Sequence, residues 1–206
     1  IESIANEMQT YTPTAGWPWL RELLAEKIAR VNGYEVKPIN TAISPGGTGA
    51  IQAALFATVG PGDEVLIPDP SWPLYRVQLA VTGATPVPYP LDPQSEWLPD
   101  IKQLARLVSS RTRVLIINTP GNPTGAVFPR QVVSDLLTFA HDHDLYLLSD
   151  ECYDEILFEG EHVSPASLLS HAEFESGRFI GIYTFSKTYA MTGWRIGYVV
   201  AGTQLI

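Results

Sequence analysis

Apolar residues along this chain recur at two spacings, and the two alternate. Leu20, Leu23, Leu24, Ile28 and Val31 line one face of a helix, and Gly33 offers the left-handed turn that ends it. Residues 41–44 predict a short strand that stops at Pro45-Gly46-Gly47, with a helix over 50–59 behind it. Gly60-Pro61-Gly62-Asp63 is a turn. A strand is expected over 64–68, a helix over 72–81, an extended piece over 86–90 and a helix over 101–108. Residues 113–118, a β-branched run, and residues 145–149 have the look of buried parallel strands. Between them a helix starts at Pro129 and ends in the polar stretch His141-Asp142-His143-Asp144. Residues 179–184 and 196–201 predict the last two strands.

Strands separated by helices argue for an α/β fold, a three-layer sandwich with a mostly parallel sheet. In such sheets ligands sit at the carboxyl ends of the strands. The unusual residues fall there: Gly46-Gly47-Thr48, Pro70-Ser71-Trp72, residues 118–125, residues 150–153 and residues 184–187. The seventeen prolines cluster at segment ends, so they punctuate rather than disorder the chain.

Composition narrows the picture. With 206 residues, 45% of them hydrophobic and 17% charged, the chain can bury one large core. A net charge of −9, with acidic residues scattered, argues against a nucleic-acid partner. No apolar run approaches a membrane span. The opening Ile1-Glu2-Ser3 is not a secretory signal and lacks an initiator Met, so the natural N-terminus is expected elsewhere. The lone Cys152 excludes an internal disulfide and reads as a small buried residue, and a cytoplasmic enzyme is expected. The alternating His and Asp of residues 141–144 point apart on a helix, so they read as a polar helix end and no metal is expected. Trp17, Trp19 and Trp97 read as packing.

Five segments carry chemistry. Lys187, in Ser186-Lys187-Thr188 after a predicted strand, is a surface lysine or a Schiff-base nucleophile for an aldehyde cofactor. Thr184 before it and Arg195 after it favour the second, because hydroxyl and guanidinium hold a phosphate dianion. Asp150 is a helix N-cap or a carboxylate that keeps a cofactor's pyridine nitrogen protonated, with Tyr153 placed to meet the ring hydroxyl. Gly46-Gly47-Thr48-Gly49 is a strand-to-helix turn or a phosphate cradle at a helix N-terminus, and it matches neither the Walker nor the dinucleotide pattern. Asn118-Thr119-Pro120-Gly121-Asn122-Pro123-Thr124-Gly125 fixes an unusual loop that presents Asn122 in one orientation. Trp72 is core or a stacking face for a flat ring.

Taken together, these segments resemble the class I/II aminotransferase family of fold type I pyridoxal-phosphate enzymes (the aspartate aminotransferase superfamily). The matching elements are Tyr11-Thr12-Pro13 with Gly16, Leu20 and Arg21; Pro45-Gly46-Gly47-Thr48; Gly62-Asp63-Glu64-Val65 through Pro68; residues 118–125; Asp150-Glu151 with Tyr153; and Ser186-Lys187 with Gly193-Trp194-Arg195-Ile196-Gly197. They run in family order over nearly the whole chain. The resemblance implies pyridoxal 5′-phosphate as cofactor and amino-acid and 2-keto-acid substrates. It implies Lys187 as the Schiff-base lysine and proton shuttle, Asp150 on the pyridine nitrogen, and Tyr153 and Asn122 on the ring hydroxyl. Trp72 would lie over the ring, and Gly47, Thr48, Thr184, Ser186 and Arg195 would hold the phosphate. Tyr11 matches a tyrosine lent across a homodimer interface to the neighbouring site. The family is about twice as long, so residues 1–206 are expected to be its large cofactor-binding domain. An N-terminal arm and a small domain, with the arginine that grips the substrate carboxylate, would lie outside them. Two alternatives stand beside transamination. One is a carbon–sulfur β-lyase on the same scaffold; the other is an aminotransferase-like ligand-sensing domain of a regulator.

Overall fold

The chain is described here as a computed structural model covering residues 11–206; the Ile1-Glu2-Ser3 opening lies outside the described residues. Helix α1, Pro18–Lys27, begins with proline at its first position and runs into a single π-helical turn, Ile28–Asn32. Gly33 closes it at φ +76°, its N–H reaching Ile28 O at 3.1 Å. The remaining main elements follow in order: β1 Thr41–Ser44, α2 Gly46–Thr58, β2 Glu64–Asp69, α3 Leu74–Thr82, β3 Thr85–Pro90, α4 Ile101–Leu107, β4 Thr112–Asn118, α5 Arg130–Asp142, β5 Tyr146–Asp150, α6 His171–Ser176, β6 Phe179–Thr184 and β7 Gly197–Ala201.

The strands form a seven-stranded sheet in the order β1-β7-β6-β5-β4-β2-β3. Pairing is parallel from β3 through β6, while β7 lies antiparallel to both β6 and β1. This is the expected mostly parallel sandwich, and side-chain parity divides its two cores. Val65, Ile67, Val114, Ile116, Leu148, Ile180 and Ile182 pack with α2 and α3. Leu66, Leu115, Ile117, Leu147, Phe179 and Tyr183 pack with α1, α4 and α5 on the opposite face. Continuing the same alternation puts Asn118, Asp150 and Thr184 on the α2/α3 face, at the carboxyl edge of their strands.

Three features differ from the sequence reading. Helix α2 begins at Gly46, so the glycines expected to form a turn are its first residues. Helix α3 begins at Leu74, because Trp72 and Pro73 complete the turn after β2. Helix α6 was not expected, although Ser170 and Glu173 form a capping box, with Ser170 N–H on the Glu173 carboxylate at 2.7 Å. Among the described residues no helix is long and apolar enough to cross a membrane.

One buried ion pair ties α1 to the loop after β5. Lys27 Nζ lies 2.5 Å from Asp154 Oδ2, with side chains 10% and 5% exposed. Asn32 completes the set, accepting from Lys27 at 3.0 Å and donating to Asp154 at 2.9 Å. Removing one partner of such a pair leaves an uncompensated charge. Lys27→Ala is expected to cost about 3 kcal/mol in urea unfolding, and adding Asp154→Asn to recover most of it.

Candidate active site

The carboxyl edge of the sheet opens into a cavity of about 300 Å³. Ten of the eleven expected site residues line it: Gly47 and Thr48 from α2, Trp72 after β2, Asn122 after β4, Asp150 and Tyr153 from β5 and its loop, and Thr184, Ser186, Lys187 and Arg195 around β6 and β7. Register explains the gathering. Asn118 pairs with Asp150 and Asp150 with Ile182, while Gly197 pairs with both Thr184 and Ser44. Tyr11 is 99% exposed and is not among the cavity's residues.

Asp150 is the last residue of β5, and bends and turns follow it, so it does not cap a helix. Its side chain is buried. Oδ2 accepts from the Tyr75 phenol at 2.5 Å and Oδ1 from the Cys152 N–H at 3.2 Å. Burial pushes the carboxyl up from its ordinary value, and the charge of Glu151 adds to the rise; the Tyr75 and Cys152 donors oppose it. Burial also holds the Tyr75 phenol well above its ordinary value, and Asp150 adds to that, so the shared proton stays on the phenol. Glu151 turns the other way, to His162 Nε2 at 2.8 Å and Ser164 Oγ at 3.0 Å, and so pins the loop.

The rigid loop expected after β4 is held by the side chain of Asn118. Its Nδ2 donates to Asp150 O at 2.9 Å and its Oδ1 accepts from Asn122 N at 2.6 Å. Cis peptide bonds precede Pro70, Pro120 and Pro123 in these edge loops. Trp72 is half-buried and meets Tyr75 edge-on, 5.5 Å between ring centroids at 86°. It lines the cavity and also packs against the α2/α3 core. Lys187 is exposed, its Nζ 5.5 Å from the centre of the Tyr153 ring.

At the start of α2 no side chain caps the helix, which leaves first-turn N–H groups free to bind an anion. Arg195, in a left-handed conformation at φ +54°, anchors its guanidinium on Thr192 O at 2.9 Å. A Cβ on Gly46 would fall 2.5 Å from Arg195 Nη2, so the missing side chain is what admits the guanidinium to this cradle. Thr184 Oγ1 accepts from Ser186 N at 3.2 Å beside it.

Four residues of the wall were given no site role in the sequence reading: Ile51, Asn118, Cys152 and Thr192. Cys152 was expected to be a small buried residue; it is half-buried, lines the cavity, and sits where a Cβ on Gly47 would come within 2.7 Å of its sulfur. Burial pushes its thiol well above the ordinary value, so it stays protonated at neutral pH. Trp19, read as packing, is half exposed, whereas Trp97 does pack against the core.

Residues 2–206 match the family model described as aminotransferase class I and II. The chain belongs to that family. It is 40% identical over 204 residues to a probable aspartate/prephenate aminotransferase of Thermus aquaticus, which covers 99% of this chain and 52% of that protein. An arginine–pyruvate transaminase of Pseudomonas aeruginosa is 36% identical over 205 residues, 100% of this chain and 51% of that one. Among solved structures, a mutant aspartate aminotransferase of Thermus thermophilus superposes with a TM-score of 0.92 at 38% identity, over 99% of this chain and 52% of that chain. The chain thus spans about half the length of the curated relatives it matches.

The cofactor of class I and II aminotransferases is pyridoxal 5′-phosphate. The cavity's donor set fits such a group. A primary amine is present for its aldehyde, a helix N-terminus with a guanidinium for its phosphate, and a buried carboxylate with unused lone pairs for its ring nitrogen. In this aminotransferase fold the cradle depends on backbone contact. A Cβ on Gly197 would lie 2.5 Å from the carbonyl carbon of Gly46 and 2.7 Å from the nitrogen of Gly47. Gly197→Ala is expected to cost about 1–3 kcal/mol in urea unfolding and to weaken pyridoxal-phosphate binding, measured by fluorescence titration. Gly60→Ala, which meets nothing within 4 Å, should change neither.

Proposed function

We propose that this chain is the large, cofactor-binding domain of a pyridoxal-phosphate-dependent aminotransferase, which moves an amino group between an amino acid and a 2-keto acid. The observation that carries the reading is the convergence in one cavity of the Lys187 amine, the buried Asp150 carboxylate and the uncapped α2 terminus with Arg195. The relatives named above are transaminases, which favours transamination over the β-lyase and ligand-sensing alternatives. Their names differ in amino donor, so the proposal stops at the reaction class.

When bound, pyridoxal phosphate supplies an aldehyde that takes up the amino group and a ring that accepts electrons. The chain's residues do the rest. Gly47, Thr48, Thr184, Ser186 and Arg195 hold the phosphate; backbone and hydroxyl groups orient it, and the guanidinium supplies charge. Trp72 would offer its indole face to the ring. Asp150 keeps the ring nitrogen protonated, and Asn122 and Tyr153 bind the ring hydroxyl. Lys187 would hold the aldehyde, and its Nζ, freed when substrate binds, would take and return the proton at the substrate's α-carbon. That atom stands over the Tyr153 ring, on an exposed residue in the turn after β6, so it can move without unfolding a strand.

The protein is proposed to work as a homodimer in the cytoplasm. Tyr11 is fully exposed and does not line its own cavity, which suits a tyrosine that serves the neighbouring phosphate. The single Cys152 suits a reducing compartment.

Borohydride reduction of the cofactor-loaded, full-length protein should fix a pyridoxyl group on Lys187 in peptide mapping. Its recovery on Lys27, Lys37 or Lys102 would refute the assignment. Mixing Tyr11→Phe with Lys187→Ala subunits should restore activity above either parent, because one site of the mixed dimer then carries neither defect. No recovery after verified subunit exchange would keep Tyr11 out of the partner's site.

A further inference from the structure

Helix α3 stands behind the cavity, and three of its contacts reach cavity residues. Trp72, just before the helix, lines the cavity, and its carbonyl accepts from Tyr75 N at 3.2 Å. One turn on from Tyr75, Gln78 Nε2 donates to Thr48 O at 2.7 Å, in the first turn of α2. Between them Tyr75, 0% exposed, spends its phenol on Asp150 Oδ2. Phenylalanine would fill the same volume without bringing a hydroxyl into the core, and a buried hydroxyl stabilises only through its partner. Here that partner is a carboxylate lining the cavity.

We propose that Tyr75 is a positioning residue for the reaction, acting through Asp150. Its phenol and the Cys152 N–H each take one carboxylate oxygen, fixing the rotation of the side chain and holding it ionised at the cavity wall. The inference deepens the aminotransferase reading and rests on it for the catalytic consequence, whereas the link from Tyr75 to Asp150 stands on geometry alone. The ionisable groups acting on Asp150 are Tyr75 and Cys152, which donate to it, and Glu151, whose charge opposes its ionisation.

The test begins with full-length protein stripped of cofactor and labelled with [13Cγ]aspartate, Asp150 being assigned by its loss in Asp150→Asn. A donor to a carboxylate favours the charged form, so Tyr75→Phe should move the Asp150 titration upward by about one pH unit. Tyr89→Phe is the control. It removes another buried phenol, which donates to Ile116 O at 2.9 Å, and should leave Asp150 unmoved. An unchanged Asp150 titration in Tyr75→Phe overturns the proposal. A second measurement needs no variant: the 13Cζ resonance of Tyr75 in the wild type should step at the pH where Asp150 titrates, and a flat resonance overturns it equally. In the loaded enzyme, Tyr75→Phe should lower kcat about tenfold with KM within about twofold, and a loss confined to KM counts against it. A wild-type protein that takes up no pyridoxal phosphate would sink the aminotransferase reading instead, and the cofactor-free titration would still decide the role of Tyr75.

Discussion

A carboxylate buried at the edge of a parallel sheet is the constraint around which this structure is organised. Asp150 gives up most of its hydration and receives two hydrogen bonds from neutral donors, the Tyr75 phenol and the Cys152 N–H. That is too little to offset the cost of a buried charge, and its raised pKa reports the deficit. A cationic ring nitrogen with its own N–H would remove it. The fold therefore keeps, at one point, a buried acceptor that a positively charged partner would stabilise. Strand parity aims Asp150 at the α2/α3 side; register sets it beside Asn118; α3 supplies the phenol.

The opposite charge is gathered between the strands, on a helix start and a turn. The first turn of α2 and Arg195 make a cradle for an anion, and glycine at positions 46 and 197 lets guanidinium and backbone approach within distances that a Cβ would block. In the proposed reading, a ligand with a cationic ring and an anionic tail would lie between Asp150 and this cradle. Its reactive carbon would then fall to Lys187, an exposed amine of the wall. The buried Lys27–Asp154 pair and the Glu151–His162 contact hold the backbone on either side of Tyr153, so the loop after β5 is fixed although it carries no regular structure.

Much of this was legible in the sequence. Apolar-rich, β-branched segments gave β4, β5 and β6 nearly to the residue, because strands buried on both faces show little polar alternation. Motif residues at strand ends named ten members of the cavity wall. What stayed hidden depends on long-range contacts. The start of α2 was misplaced because four residues of glycine and threonine have poor helix propensity, and tertiary packing overrides it. The antiparallel run of β7 has no local signature, since direction is fixed by pairing. Tyr75 and Lys27 read as ordinary helical positions, and their partners lie 75 and 127 residues away. By contrast, the Ser170–Glu173 capping box of α6 was available as a local signal.

The most direct measurement is the 15N chemical shift of ring-labelled pyridoxal phosphate bound to the full-length protein at neutral pH. If Asp150 is the ionised partner that the cavity is built to neutralise, the ring nitrogen will resonate as protonated in the wild type and shift to the neutral position in Asp150→Ala. A neutral ring nitrogen in the wild type, or one protonated equally in both proteins, would contradict that role for the buried carboxylate.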